Sequence, residues 1–277
     1  MPLKLMYITN DPDVAKIAES SGVDRIFVDM EYIGKAARQG GMDTVQSHHT
    51  IKDIEKIRKH ISKADVLVRV NPIHEASDEY GSSKTEIDQV VNAGADIIML
   101  PYFKSVDEVE TFVKLVDHRA KISLLVETPQ AVNIIDDILE IKGIDEVYIG
   151  LNDLSLGYGR KFMFELLTDG TVEQLCLKFK LKGIPYGFGG IASIGKGELP
   201  AEYIIKEHYC LGSSCVILSR SFCNTCIVTD LKEIRSVFEN GLHAIREQEK
   251  ECETYARYFR ENEQIVAEKV RKICQNR

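Results

Sequence analysis

Short apolar runs recur along the chain, and eight of them have the composition of buried parallel strands. They are rich in Val, Ile and Leu and mostly lack the polar alternation of a strand with one wet face. The eight runs are residues 4–8, 25–31, 66–71, 97–101, 123–127, 147–151, 186–191 and 215–219.

Most of the intervening segments have apolar residues spaced by three and four, the pattern of an amphipathic helix. Ser105 followed by Glu108 predicts the N-cap of one such helix. A strand–helix unit repeated about eight times within roughly 200–250 residues predicts an α/β fold, a (β/α)8 TIM barrel. A doubly wound open sheet is the alternative, because its strands have the same composition.

The pattern changes after Thr229, so we divide the chain into a catalytic barrel, 1–229, and a C-terminal helical arm, 230–277. The arm is highly charged but has an aromatic side formed by Tyr255, Tyr258 and Phe259. Such a side needs a partner surface. Either the arm packs on the flank of its own barrel, or it docks on a neighbouring subunit.

Composition narrows the range of partners and the location. The chain has 277 residues and a net charge of −8, which argues against binding to nucleic acid or to an acidic membrane. No apolar run approaches the ~20 residues that cross a bilayer, and the start does not read as a signal peptide. We therefore expect a cytoplasmic protein with reduced cysteines. Cys223 and Cys226 form a C-x-x-C, but no second pair completes a zinc site.

Charged residues follow several of the predicted strands, at the end where a barrel enzyme places its chemistry. They are Asp29 with Glu31, Arg69, Glu127 and Asp153. Carboxylates gathered at one rim repel one another, and a divalent cation is the usual remedy. Arg220 follows the eighth run, and we expect it to pair with Glu31 or Glu127 as a structural residue.

Glu127 and Asp153 come from consecutive predicted strands, so their side chains can reach one ion. Two carboxylates with water suit Mg²⁺ or Mn²⁺, whereas no neighbouring His favours zinc. We expect a rigid strand to carry Asp153, with Gly150 permitting close backbone approach. Lys196, after the seventh run, is a further candidate for contact with an anionic group.

Five motifs together resemble the HpcH/HpaI aldolase and citrate lyase family of metal-dependent pyruvate aldolases and acyl-CoA lyases. The resemblance extends from about residue 22 to 222, and Glu127 and Asp153 have the family spacing of 26 positions (153 − 127). The motifs are VDMEYIGK, VRVNP, GADIIMLP, LLVETPQA and GLNDLSLGYG.

The resemblance implies a TIM barrel that holds Mg²⁺ or Mn²⁺ on Glu127 and Asp153 and uses Arg69 as a catalytic arginine. It implies a 2-oxo acid substrate such as pyruvate, whose methyl carbon gains or loses a carbon–carbon bond. We predict Gly150, Asn152, Asp153 and Pro101 as substrate-binding residues, with the amides around Asn152 and Asp153 holding the substrate carboxylate. It also implies a homo-oligomer, a trimer or hexamer, joined by the C-terminal helices.

The chain departs from the family at the proton shuttle. The aldolase branch has Asp-x-Glu-His where this chain has Asp29-Met30-Glu31-Tyr32. The candidates for the proton shuttle are therefore Glu31, Asp29, His48, His49 and a metal-bound water. Two other functions also remain, an acyl-CoA lyase of the citrate, malyl or citramalyl-CoA type and a non-catalytic barrel that binds a small ligand.

Overall fold

The computed structural model, which describes residues 1–35, 47, 49–254 and 259–277, is a closed barrel of eight parallel strands. The TIM-barrel prediction is therefore confirmed, and the open sheet is excluded because β1 pairs with β8. The strands are β1 Lys4–Ile8, β2 Arg25–Asp29, β3 Asp65–Arg69, β4 Ile97–Leu100, β5 Lys121–Val126, β6 Glu146–Ile149, β7 Tyr186–Ile191 and β8 Cys215–Leu218.

Helices surround the barrel in the part of the chain that the structure describes. They are α1 Pro12–Ser21, α2 Ile51–His60, α3 Ser83–Asn92, α4 Val106–Val116, α5 Pro129–Asn133, α6 Ile135–Ile138, α7 Leu151–Gly157, α8 Glu165–Thr168, α9 Thr171–Lys182, α10 Ala201–Leu211, α11 Leu231–Thr254 and α12 Phe259–Gln275. The predicted cap is confirmed, because Ser105 and Glu108 form a capping box at the start of α4.

The side chains inside the barrel form layers, because alternate residues of a strand point to the same face. The middle layer is apolar and includes Phe27, Leu67, Leu125 and Tyr148. Two residues further along, β2, β3 and β5 lead to Asp29, Arg69 and Glu127 on that same interior face. Strand periodicity therefore places these three charged groups together above a dry core.

Several predicted strands end sooner than expected. The runs 25–31, 66–71 and 147–151 were each predicted two residues too long at their carboxyl ends. Backbone pairing continues for one residue beyond each of these strands. At the second residue beyond β2 and β3 a side chain takes over: Asp29 Oδ1 accepts the Glu31 N–H at 3.3 Å, and the Glu86 carboxylate accepts the Asn71 N–H. The candidate site is built from the last residues of these strands, such as Asp29 and Arg69, and from the residues that follow them.

A buried ion pair closes the opposite end of the barrel interior. The Arg25 guanidinium donates to both carboxylate oxygens of Glu146, at 2.8 and 2.7 Å. Both residues are at least 90% buried, so each charge depends on the other. The pair explains two charged residues at the starts of strands that are otherwise apolar.

Both helices of the C-terminal arm pack on their own barrel. Helix α11 buries Phe238, Leu242 and Ile245, and α12 buries Val266 and Val270. This is the flank-packed arrangement that the sequence left open. Docking on a neighbouring subunit stays a prediction, and Tyr255 and Tyr258 lie outside the described residues.

A buried carboxyl group joins α12 to the barrel. Glu207 on α10 is 6% exposed, and its Oε1 accepts a hydrogen bond from Asn262 Nδ2 at 2.6 Å. Burial, reinforced by the charges of Glu263 and Glu173 and opposed by the Asn262 hydrogen bond, raises the pKa of Glu207 to about 7. The folded protein therefore holds the Glu207 proton more tightly than the unfolded chain, whose glutamates titrate near ~4.3.

We expect this group to make the free energy of unfolding fall as pH rises. The stabilisation is complete below about pH 4 and is lost as pH rises through about 7, with a total of roughly 3 kcal/mol. Urea denaturation between pH 5 and pH 8 measures it. Glu207→Gln should flatten the slope, and Glu55→Gln, which removes an exposed carboxylate, should not. Equal slopes for the wild type and Glu207→Gln would contradict the assignment.

Candidate active site

A cavity of about 570 Å³ opens at the carboxyl ends of the strands, where barrel enzymes carry their active sites. The predicted residues Asp29, Arg69, Glu127, His49 and Asp153 all line it. Gly150 and Asn152 line it as well. The barrel therefore brings together residues that are separated by more than a hundred positions in the sequence.

Arg69 is held rigidly at the base of this cavity by a carboxylate. Its Nε and Nη2 donate to the two oxygens of Asp29, each at 2.8 Å, in a bidentate pair. Its Nη1 lies 3.4 Å from Glu31 Oε2. Lys35 Nζ completes the cluster at 2.9 Å from Asp29 and 3.5 Å from Glu31. The two acids thus fix two cations at the rim.

Electrostatics keeps Asp29 and Arg69 ionised. Burial alone would raise the pKa of Asp29, but the charges and hydrogen bonds of Arg69 and Lys35 outweigh it and hold that pKa well below its usual range. Burial alone would likewise lower the pKa of Arg69, yet Asp29 and Glu31 raise it. Asp29 therefore remains a carboxylate near neutral pH and serves to orient Arg69.

Glu127 is 2% exposed and is oriented by the neighbouring strand end. Its Oε1 accepts the backbone N–H of Tyr102 at 3.0 Å. Tyr102 adopts a left-handed conformation, with φ of 51°, which costs a non-glycine residue about 1 kcal/mol or more. In this strained conformation the Tyr102 N–H points to the Glu127 carboxylate.

Gly150 leaves the space that Glu127 occupies. A Cβ at position 150 would lie 2.8 Å from both Cβ and Oε2 of Glu127, closer than carbon and oxygen atoms pack. The close neighbour that Gly150 permits in this structure is the Glu127 side chain, and its approach to a bound carboxylate stays a prediction.

Asp153 reaches the cavity from a helix, so the prediction that a strand carries it is wrong. Strand β6 ends at Ile149, and Asp153 lies in the first turn of α7. Gly150 is the N-cap of that helix, so the chain changes from strand to helix just before the acid. Asp153 remains buried, at 9% exposure, and lines the cavity with Glu127.

Glu127 and Asp153 fit the demands of a hard divalent cation. Both are buried carboxyl residues that line one cavity, and Gly150 gives Glu127 the room that a Cβ at position 150 would take. Within the described residues, three or more His, Cys, Asp and Glu side chains nowhere gather as a metal cluster. Mg²⁺ needs fewer protein ligands, because it keeps several waters and binds through one or two carboxylates.

His49 lines the cavity in a defined orientation. Its Nδ1 accepts the backbone N–H of Asp29 at 3.0 Å. A backbone N–H can only donate, so the neutral imidazole carries its proton on Nε2. Tyr32, which stands where the family has His, is half exposed and outside the described lining. His48 lies outside the described residues.

Two other predicted residues lie behind the cavity surface. Pro101 and Glu31 are buried, and neither is among the described residues that line the cavity. Pro101 precedes Tyr102, so the end of β4 acts on the site through the N–H that binds Glu127. Glu31 acts through its contacts with Arg69 and Lys35.

Sequence reasoning missed the residues that hold the rim in place. Asn71 Oδ1 accepts the N–H groups of Tyr32 and Ile33, both at 2.9 Å, and its Nδ2 donates to Glu86 at 2.8 Å. This amide fixes the turn between Glu31 and Lys35. The Asn-Pro pair in VRVNP was a visible signal, whereas the backbone role of Tyr102 left none.

The fold and the site define a TIM-barrel protein with a cavity at the carboxyl ends of the strands that carries several charged side chains. A sequence profile described as HpcH/HpaI aldolase/citrate lyase matches residues 4–178. The chain therefore belongs to the HpcH/HpaI aldolase/citrate lyase family, and the predicted family is confirmed. Its members are lyase-type enzymes that generally depend on a divalent metal.

Solved structures share the fold at low sequence identity. An HpcH/HpaI aldolase from Desulfitobacterium hafniense DCB-2 is 17% identical, with a TM-score of 0.60 over 84% of this chain and 93% of the other. An HpcH/HpaI aldolase/citrate lyase family protein from Burkholderia cenocepacia J2315 is 15% identical, with a TM-score of 0.61 over 84% of this chain and 95% of the other. The citrate synthase SbnG is 15% identical, with a TM-score of 0.59 over 85% of this chain and 94% of the other.

No curated protein sequence matches the chain. Among the described helices, none combines the length and the apolar character that a bilayer span requires.

Proposed function

We propose that this protein is a divalent-metal-dependent carbon–carbon lyase, an aldolase that cleaves or forms the bond to a pyruvate-like 2-oxo acid. The observation that carries the proposal is the single cavity shared by Arg69, locked by Asp29, and by the carboxylates Glu127 and Asp153. Such a cavity can bind an oxo acid and stabilise the negative charge that develops on its oxo oxygen.

Glu127 and Asp153 would hold Mg²⁺ or Mn²⁺. When bound, the cation supplies Lewis-acid polarisation of the oxo group and charge for the substrate carboxylate. The substrate carboxylate lies against the turn from Gly150 to Asp153, where Asn152 also lines the cavity.

Arg69 stabilises the oxo oxygen as it becomes an enolate oxygen. Its pair with Asp29 uses one N–H of Nε and one of Nη2, so further N–H groups of the five remain on the fork. Because Asp29 fixes the guanidinium before the substrate arrives, little reorganisation accompanies the reaction.

His49 acts as a neutral hydrogen-bond donor in this proposal. Its Nδ1 is occupied by the Asp29 N–H, and Nε2 therefore carries the ring proton and has no lone pair for a second one. Taking up a proton would first break the bond to Asp29. Among the shuttle candidates, this geometry disfavours His49 as the base, and the depressed pKa disfavours Asp29.

In the cleavage direction, the 4-hydroxyl group of a 4-hydroxy-2-oxo acid loses its proton to water in the cavity. The carbon–carbon bond breaks, its electron pair moves into the enolate, and an aldehyde leaves. A proton then adds to the enolate carbon, which gives pyruvate. Addition runs through the same steps in reverse, so atoms and charge balance in both directions.

Two assays on the full chain test the proposal. When Mg²⁺ is added, the metal-depleted protein should begin to catalyse exchange of the pyruvate methyl protons with D2O. Proton NMR measures this exchange as loss of the methyl signal. The same protein should also release pyruvate from 4-hydroxy-2-oxo acids when Mn²⁺ is added. Metal binding without exchange or release would instead favour a non-catalytic barrel. Cleavage of citramalyl-CoA alone would favour the acyl-CoA lyase.

A further inference from the structure

Two cysteines line the cavity at the carboxyl ends of the strands, and the proposed function uses neither of them. Cys223 and Cys226 form the C-x-x-C motif of the sequence, and the structure places both on the lining of that cavity. All seven cysteines of the chain are free thiols. A C-x-x-C of free thiols is a candidate redox pair, and its surroundings decide whether the two thiols can act together.

These two cysteines differ from the other five in the freedom of their backbone. They lie between the end of β8 at Leu218 and the start of α11 at Leu231, in a segment without helix or strand. A disulfide needs a specific separation and orientation of its two Cα–Cβ bonds, which such a segment can adopt by changing a turn. The other cysteines lie within α9, α10, β8, α11 and α12, namely Cys176, Cys210, Cys215, Cys252 and Cys274.

The chain bends between the two cysteines. Asn224 Oδ1 accepts the Cys226 N–H at 3.1 Å, and Asn224 O accepts the Ile227 N–H at 3.0 Å. Three residues of extended chain span about 10 Å, whereas the two Cα atoms of a disulfide are about 5.5–6 Å apart. The bend shortens this span in the direction that a bond between the two sulfur atoms requires.

The two thiols are exposed to different degrees, as disulfide exchange by a resolving pair needs. Cys226 is exposed, so a dissolved disulfide can reach its sulfur. Cys223 is 4% exposed, and burial raises the pKa of its thiol, a shift that a hydrogen bond with Tyr7 opposes. Tyr7 also donates its hydroxyl to Cys223 O at 3.0 Å. Cys226 is therefore the thiol that meets an oxidant, and Cys223 is the resolving thiol beside it.

We propose that Cys223 and Cys226 are a reversible thiol–disulfide modification site on the wall of this cavity, oxidised by a low-molecular-weight disulfide such as oxidised glutathione. The Cys226 thiolate attacks the oxidant, forms a mixed disulfide and releases one small thiol. The Cys223 thiolate then attacks Cys226 Sγ, closes the protein disulfide and releases the second. Two protein thiols are oxidised, one small disulfide is reduced, and the two protons pass through water to the released thiolates.

The new bond acts on the cavity because both of its ends are lining residues. Arg220 and Asn224 belong to the same segment and line the cavity as well. A bond between Cys223 and Cys226 changes the turn at Asn224, and with it the wall that follows β8. Oxidation should therefore slow the reaction in the cavity, and a reducing agent should restore it.

Mass spectrometry of a tryptic digest tests the proposal on the full-length protein. Cleavage after Arg220 and Lys232 gives one peptide, 221–232, that contains these two cysteines and no other. After treatment with oxidised glutathione and alkylation of the remaining thiols, this peptide should have lost two hydrogen atoms. It should carry neither glutathione nor the alkyl group, and dithiothreitol should restore both thiols.

Three variants complete the experiment. Cys223→Ser should stop at the mixed disulfide, with one glutathione on Cys226, and Cys226→Ser should leave the peptide without an internal bond. Cys210→Ser is the matched control, because Cys210 is the other exposed cysteine and is not among the described residues that line the cavity. It should form the internal bond as the wild type does.

Three results for the wild-type peptide overturn the inference. They are unmodified thiols, a glutathione that stays on Cys226 in place of the internal bond, and a bond that joins either cysteine to Cys210. Burial and the charges of Glu207 and Glu263 raise the pKa of the Cys210 thiol to about 11, so little of it is thiolate at neutral pH.

A rate measurement separates this inference from the proposed function, which the peptide mass does not involve. Pyruvate methyl exchange with Mg²⁺ is followed before oxidation, after oxidation and after dithiothreitol. The rate should fall and recover in the wild type and in Cys210→Ser, and it should stay constant in Cys226→Ser. Equal rates in the reduced and oxidised wild type overturn the effect on the cavity, whereas absence of exchange in the reduced protein overturns the proposed function.

Discussion

Replacing Glu127 with Gln, or Asp153 with Asn, is expected to abolish pyruvate release while the barrel stays folded. Each change keeps the size of the side chain and removes one of the two carboxylate charges that would hold the cation. Loss of metal polarisation removes several kcal/mol of transition-state stabilisation, at least about 10³-fold in rate. Glu127→Gln also keeps an oxygen that can accept the Tyr102 N–H.

The two readouts are turnover with increasing Mn²⁺ and equilibrium Mn²⁺ binding to the full-length protein. Both should weaken in the two variants, while circular dichroism and the melting temperature stay near wild type. Glu140→Gln removes an exposed carboxylate that precedes β6, at the far end of the barrel, and should change neither readout. Normal turnover of either site variant at low metal would refute the ligand assignment.

Replacing Arg69 with Lys is expected to lower kcat by about 10²- to 10³-fold, as removal of one oxyanion donor does elsewhere. Lysine keeps the positive charge but cannot form the two parallel bonds that Arg69 makes with Asp29. The lysine ammonium would keep a positive charge near the site, but Asp29 would no longer hold its N–H groups oriented toward the oxo oxygen. KM for the oxo acid should change less than kcat, because the enolate oxygen carries its charge in the transition state.

Arg58→Lys provides the matched control for this substitution. Arg58 forms an exposed ion pair with Asp96 at 2.7 Å, outside the cavity, and its replacement should leave kcat within about twofold, because exposed pairs contribute little. If Arg69→Lys keeps the wild-type kcat, the guanidinium fork is not needed and the proposed role of Arg69 fails.

Much of the candidate site could be predicted because strands obey a simple rule. Once eight apolar runs are read as barrel strands, their carboxyl ends must meet at one rim. Asp29 and Arg69 end their strands, Glu127 directly follows β5, and the structure places all three around one cavity. The positions of Glu127 and Asp153 after consecutive predicted strands paired the two acids, and the spacing in the family motifs agreed with that pairing.

The site predictions that differ from the structure concern residues that lie beyond the ends of the strands. Asp153 is on a helix because the chain turns at Gly150, two residues sooner than apolar character suggested. Tyr32 takes the position of the family His but turns to the surface, while its N–H is held by Asn71. Pro101 does not line the cavity, and the residue after it, Tyr102, contributes its backbone N–H to Glu127. Loop conformation depends on such long-range hydrogen bonds, which leave no local pattern.

The sequence by itself determined the barrel, the family and the identity of the charged residues at the rim, because strand periodicity and apolar composition are local properties. Tertiary structure alone decided which of these charges pair, which oxygen Tyr102 binds and where the proton of His49 resides. It also placed Arg220 on the lining of the same cavity. These features depend on distances between residues far apart in the chain, and closure of the barrel sets those distances.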